Sequence, residues 1–254
     1  MKVTVLGASG GELPRHRTTC FLVGRELAID AGALTSSLSM KQLLQLDDIV
    51  LSHAHFDHVK DVPLLADLLV GRRERPIVVH ASPECARTLR SNVFNGRLWP
   101  DFTRIPDARR PVVKIQTFQP GRPFTAGRYE FLPVKMRHTV ESVGFIVSDG
   151  HSAIAISGDT GPTRAFWKHV NAETRLKALF VETSFPSALQ DLATRSGHLT
   201  PSTLTGELAK VKRNGVPVLL YHLKPAHLSE LLRELTPLRR QGVRVLATGD
   251  EFDF

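Results

Sequence analysis

Four side chains able to bind a metal ion fall within six residues, His53-Ala54-His55-Phe56-Asp57-His58, one residue after the apolar run Ile49-Val50-Leu51. A short apolar run of this kind reads as a buried strand, so the histidines emerge at its C-terminal end. Residues two apart in an extended segment point to the same side. His53 and His55 can therefore share one cation. Asp57 and His58 follow where the chain turns into a helix, and they can face a second cation nearby. Imidazole with carboxylate suits Zn²⁺, with Mn²⁺ or Fe²⁺ as alternatives. An exposed polar turn could also carry these residues, but a turn has no need of the buried strand that leads into them.

One such run cannot complete two metal sites, and further ligand types stand after other apolar strands. His138 follows YEFLPVKMR, Asp159 follows SAIAISG and His222 follows VPVLLY. A single histidine at a strand end is more often a structural hydrogen-bonder; three repeats of the same arrangement complete a ligand count. His53, His55 and His138 would hold one metal, and Asp57, His58 and His222 the other. Asp159 would bridge, since a carboxylate has two oxygens to share. Asp30, at the end of ELAID, is expected to orient a ligand histidine from behind.

The rest of the chain supplies the strands that such a site needs. Strands are expected at KVTVLG, CFLV, ELAID, DIVL and PIVVHA, with helices between the later ones. A second series follows at VVKIQTF, YEFLPVK, SVGFIVS, SAIAIS, KALFVE, VPVLLY and a final VRVLAT. Helices are expected near Ser37–Leu46, along VKDVPLLADLLV, and from Ser82 as N-cap with Pro83 at the first helical position. Strands in two groups with helices outside imply two sheets packed face to face, each covered by helices. At 254 residues, 42% hydrophobic and 23% charged, the chain suits one α/β domain over residues 1–254. No apolar run approaches the roughly 20 residues that span a bilayer. Cys20 and Cys85 cannot make a disulfide framework, and the N-terminus lacks the apolar stretch of a signal peptide, so a cytoplasmic protein with no membrane partner is expected. The net charge of +8 favours anionic ligands without choosing among them.

The HxHxDH run, the later lone histidine, the SGDT segment and the last histidine together resemble the metallo-β-lactamase-fold hydrolases. The resemblance covers essentially the whole chain and implies a four-layer αββα sandwich with a binuclear site at the edge between the sheets. Within that superfamily, Glu182-Thr183-Ser184-Phe185, Gly197-His198-Leu199-Thr200-Pro201, His222-Leu223-Lys224-Pro225 and the segment from Phe94 to Phe102 resemble the class II 3′,5′-cyclic-nucleotide phosphodiesterases. That resemblance implies a metal-dependent enzyme taking cyclic AMP, or cyclic GMP, to the 5′-monophosphate by way of a hydroxide shared between two divalent ions. It also implies a homodimer and a small-molecule substrate, with no stable nucleic acid partner.

His198 has two readings, a loop hydrogen-bonder or a proton donor to the leaving group oriented by Glu182. The second suits a histidine, whose pKa lies near neutrality. His198 and Glu182 are thus the expected catalytic residues, with Asp57 counted among them as well as among the ligands. Phe94, Trp99 and Phe102 lie in an irregular Asn/Gly/Pro stretch and are expected on a loop over the site. The alternatives are an RNA phosphodiesterase like the tRNA 3′-processing endonucleases, and a non-catalytic metal-stabilised binding protein. Those endonucleases usually carry a tRNA-gripping arm between the ligands matching His138 and Asp159. Here the intervening 20 residues have room for one hairpin.

Overall fold

The structure, a computed structural model, describes residues 1–213 and 215–254, with the side chains at 240 and 241 excepted. The first sheet takes β1 (Lys2–Gly7), β2 (Cys20–Val23), β3 (Leu27–Ile29), β4 (Asp48–Val50), β5 (Ile77–Ala81) and β6 (Val113–Thr117). The second takes β7 (Phe124–Ala126), β8 (Tyr129–Lys135), β9 (Val143–Ser148), β10 (Ala153–Ile156), β11 (Leu176–Glu182), β12 (Val218–Tyr221) and β13 (Val243–Val245). A last strand, β14 (Glu251–Asp253), returns to the first sheet and pairs antiparallel with β1. The orders are β14-β1-β2-β3-β4-β5-β6 and β13-β12-β11-β10-β9-β8-β7.

Each sheet is antiparallel where its strands follow one another through turns or loops, or meet at the two ends of the chain, and parallel where helices intervene. Strands β3 to β6 run parallel, as do β10 to β13. Alternation along the strands makes the layers. Val3, Val5, Phe21, Val23, Leu27, Ile29 and Val50 face Phe131, Phe145, Phe180 and Tyr221 of the other sheet. Leu22, Ala28, Ile49 and Leu51 face outward onto helices that include Asp61–Leu69 and Pro83–Thr88. The second sheet is covered by Ala165–Ala172, Pro201–Leu208 and Leu228–Leu235. The result is the expected αββα sandwich. Among the described residues, no helix is long and apolar enough to cross a membrane.

Four expectations are corrected. VRVLAT is not the final strand, because β14 follows it. VVKIQTF, expected to open the second series, instead joins the first sheet beside β5, and the edge of the second sheet is closed by Phe124–Ala126, where no strand was expected. The helix expected near Ser37–Leu46 is two single turns, Leu34–Ser37 and Met40–Leu43, the second started by the reciprocal Ser39/Gln42 cap. Phe94 and Phe102 do not cover the site. Both are buried, in the outer core between the first sheet and its helices, and Trp99 packs, partly buried, against that core. Aromatic side chains gain more from that apolar layer than from solvent, even when the backbone around them is irregular.

Candidate metal centre

Strands β4, β8, β10 and β12 all end on one edge of the sandwich, and the loops that leave them bring the ligand-type residues together. This is the edge where parallel α/β sheets commonly gather binding residues. His53, His55, His138 and Asp159 form one group whose nitrogen and oxygen atoms lie within 4.8 Å of one another; Asp57, His58 and His222 form a second. Asp159 joins the groups. Its Oδ2 lies 3.7 Å from His53 Nε2, 3.4 Å from His58 Nε2 and 3.3 Å from His222 Nε2. His222 Nε2 lies 3.2 Å from Asp57 Oδ2, and His138 Nε2 lies 3.0 Å from His55 Nδ1. All seven residues expected as ligands are thus in one cluster.

The imidazoles are held from behind. Four of the five turn one nitrogen to the protein and the other to the common centre, the arrangement by which outer partners orient a metal-binding histidine. His53 Nδ1 meets Ser52 Oγ at 3.0 Å, and His58 Nδ1 meets Asp30 Oδ2 at 2.7 Å. His138 Nδ1 donates to the Gly197 carbonyl at 2.9 Å, and His222 Nδ1 meets Ser184 Oγ at 2.9 Å. Asp30 has the orienting place expected of it. It also accepts from the Ser52 amide and hydroxyl, and its φ of +58° lies in the left-handed region that Asp tolerates better than most residues. His222 shares that conformation at φ +66°, and its amide donates to the Ala8 carbonyl. Gly10 leaves the space that the His222 ring uses. A Cβ there would stand 2.8 Å from His222 Nδ1 and 2.5 Å from its carbonyl oxygen.

Two observations fit this cluster to divalent cations. His53 Nε2 and Asp159 Oδ1 are buried polar atoms with no hydrogen-bond partner among the described residues, a costly state that a cation would relieve. The protonation states also suit ligands. Burial, and then the neighbouring His58, push His53 well below the usual histidine range, so that its lone pair is free. Burial would raise the Asp57 carboxyl, but the His222 hydrogen bond and the His58 charge hold it well below the usual range. Burial would likewise raise Asp159, and the charges of His222 and His58 hold it well below.

His58 is the exception. Burial would lower it, but Asp159 and Asp30 raise it well above the usual value, which favours its protonated form. A ligand nitrogen must give that proton up. Loading a divalent ion at neutral pH should therefore release a proton from His58. Titration calorimetry in buffers of different ionisation enthalpy should show buffer-dependent heats; equal heats would mean that His58 is already neutral.

Beside this cluster lies the pair singled out for catalysis. His198 Nδ1 donates to Glu182 Oε1 at 2.9 Å, and both residues are buried. Burial would lower His198, but the Glu182 charge and hydrogen bond raise it above the usual value. The His198 ring stacks on His222 at 5.3 Å between centroids, so the pair touches the ligand cluster directly. Ser184 links the two histidines. Its hydroxyl donates to Glu182 Oε2, and its oxygen lies 3.1 Å from His198 Nδ1 and 2.9 Å from His222 Nδ1. Sequence reasoning assigned no role to Ser184 or to Ser52. Their position beside ligand or catalytic residues was visible, but which backbone turn aims each hydroxyl was not.

The comparisons agree with this architecture. Residues 29–223 match the Beta-lactamase superfamily domain. A probable 3′,5′-cyclic-nucleotide phosphodiesterase of Yersinia pestis is 27% identical over 206 residues, 71% of this chain and 58% of its own length. The probable metallo-hydrolase YhfI of Bacillus subtilis is 24% identical over 245 residues, 92% of this chain and 91% of its own. Among solved structures, unliganded yeast PDE1 superposes with a TM-score of 0.84 at 21% identity, covering 100% of this chain and 99% of that one. The short form of human tRNase Z superposes with a TM-score of 0.69 at 18% identity, covering 100% and 99%. With the family domain spanning most of its length and its ligand-type residues gathered at one sheet edge, the chain belongs to the β-lactamase superfamily and has the metallo-β-lactamase fold.

Proposed function

We infer that the protein is a metal-dependent phosphodiesterase that hydrolyses 3′,5′-cyclic nucleotides to 5′-monophosphates. The observation that carries this reading is the hydrogen-bonded His198–Glu182 pair stacked against the cluster of seven ligand-type residues. The likeness to the Yersinia protein supports the cyclic-nucleotide substrate. In this reading His53, His55 and His138 hold one divalent ion, Asp57, His58 and His222 hold a second, and Asp159 reaches both. Zinc suits the donor set best, with manganese or iron as alternatives. Bound ions would supply Lewis acidity toward a phosphoryl oxygen and lower the pKa of water.

The chain's own residues do the rest. Hydrolysis breaks the bond between phosphorus and O3′ and joins a water oxygen to phosphorus. The departing O3′ is an alkoxide and needs a proton. Glu182 binds His198 at Nδ1, which leaves Nε2 as the nitrogen that donates this proton. Ser184 completes the support by holding Glu182 and touching the His198 ring. Asp57, ionised and partly exposed, lies at the mouth of the site, where it can orient the incoming water.

A second reading, an RNA phosphodiesterase, draws on the likeness to tRNase Z. Against it, the stretch between His138 and Asp159 is taken up by the β9–β10 hairpin and carries no arm. Metal-loaded protein should turn over cyclic AMP or cyclic GMP and leave a tRNA precursor intact. Activity should vanish with a chelator and return with the ion. Cleavage of the precursor with cyclic nucleotides untouched would favour the RNA reading.

A further inference from the structure

Next to His198, three half-buried side chains, Phe185, Lys224 and His227, form a wall. The Phe185 ring lies 5.7 Å from the His198 ring at an interplanar angle of 63°. Lys224 Nζ lies 5.8 Å from the centroid of Phe185, and the His227 ring lies 6.3 Å from it. The backbone fixes the wall to the site. The Lys224 amide donates to the carbonyl of Ser184, the residue whose hydroxyl touches both His198 and His222, and the His227 amide donates to the Lys224 carbonyl.

Lys224 makes no ion pair among the described residues; the neighbour of its ammonium is an aromatic face. A half-buried ammonium offers three donors and no acceptor, so an acceptor brought by a ligand would satisfy it. The position of the wall says which part of a ligand that is. If His198 protonates O3′, the nucleoside extends from the phosphate on the His198 side, toward Phe185.

We propose that Phe185, Lys224 and His227 receive the nucleobase, and that Lys224 makes this subsite selective for guanine over adenine. The proposal rests on the cyclic-nucleotide reading above. An aromatic face stacks on any base and does not discriminate. The ammonium does. Guanine presents two adjacent acceptors, O6 and N7, whereas adenine presents N7 beside the N6 amino donor, which faces a donor unfavourably.

The test compares kcat/KM for cyclic GMP and cyclic AMP on the metal-loaded chain, together with calorimetric binding of 5′-GMP and 5′-AMP. The wild type should prefer guanine in both measurements. Lys224→Met should lower the guanine-to-adenine ratio about tenfold, within the range of one good base contact. Lys224→Arg should retain the preference, since a guanidinium also reaches O6 and N7. Phe185→Leu should weaken both nucleotides alike. Equal losses for the two nucleotides in Lys224→Met would put the ammonium on the phosphate and overturn the proposal, as would an unchanged ratio or no guanine preference. If neither cyclic nucleotide were hydrolysed but 5′-GMP bound more tightly than 5′-AMP through Lys224, the hydrolytic reading would fail and the base subsite would stand.

Discussion

Replacing Asp159 by asparagine or alanine should strip most of the metal from the protein and abolish turnover with it. Asp159 Oδ2 is within 3.7 Å of ligand nitrogens in both groups, so one substitution disturbs both ion positions. Outer partners of metal ligands are typically worth about 10- to 100-fold in affinity, and a shared ligand should exceed that. Asparagine is the better test of the two. It keeps the shape of a side chain that is almost wholly buried, whereas alanine leaves a cavity among imidazoles. The loss of charge will also lower the proton affinity of His58, because Asp159 is the leading charge that raises it. Elemental analysis alongside a thermal melt separates metal loss from unfolding. A folded Asp159→Asn protein that kept its full metal load would contradict the ligand assignment.

His198→Ala should behave differently, keeping the metal while slowing hydrolysis by roughly 10²- to 10⁴-fold, the usual worth of a positioned proton donor. Geometry makes this a discriminating test, since Asp159, His198 and His222 also lie close enough to hold an ion together. Against a ligand role, His198 Nδ1 is engaged by Glu182, and the ring stacks on His222 instead of converging with it. The defect should shrink for a nitrophenyl phosphodiester, whose leaving group departs without a proton. Glu182→Gln should give a milder version, because it removes the charge that raises His198 while keeping a hydrogen-bond acceptor in place. Metal loss in His198→Ala would make it a ligand. Equal damage to both substrates with metal retained would make it a phosphate-binding group.

The candidate ligand cluster was legible in the sequence because its members follow apolar strands, and β4, β8, β10 and β12 bring those strand ends to one edge of the sandwich. The strands themselves stop earlier than the ligands. β4 ends at Val50, β8 at Lys135 and β10 at Ile156, so His53, His138 and Asp159 each stand three residues further on, in the loops. Position near a strand end was therefore a sound guide, and exact strand membership was not needed. What the sequence did not disclose depends on partners distant in the chain. The strands Phe124–Ala126 and Glu251–Asp253 are as short as β3, β4 and β13 but lack an apolar run such as Ile49-Val50-Leu51; pairing with β8 and β1 makes them strands. Phe94 and Phe102 looked like loop aromatics because their neighbours are Asn, Gly and Pro. Their burial is decided by the layer of helices beneath them, which local composition does not encode. Ser52 and Ser184 were hidden for a related reason: their hydroxyls meet Asp30, and His198 and His222, which are distant in the chain.

Product analysis by phosphorus NMR tests the central claim most directly. Metal-loaded protein, given a 3′,5′-cyclic nucleotide in water enriched in oxygen-18, should yield the 5′-monophosphate as the only product, with the label in its phosphate. That result requires water attack at phosphorus and loss of O3′, the oxygen that His198 is placed to protonate. A 3′-monophosphate, or no turnover by protein shown to carry its metal, would contradict the account.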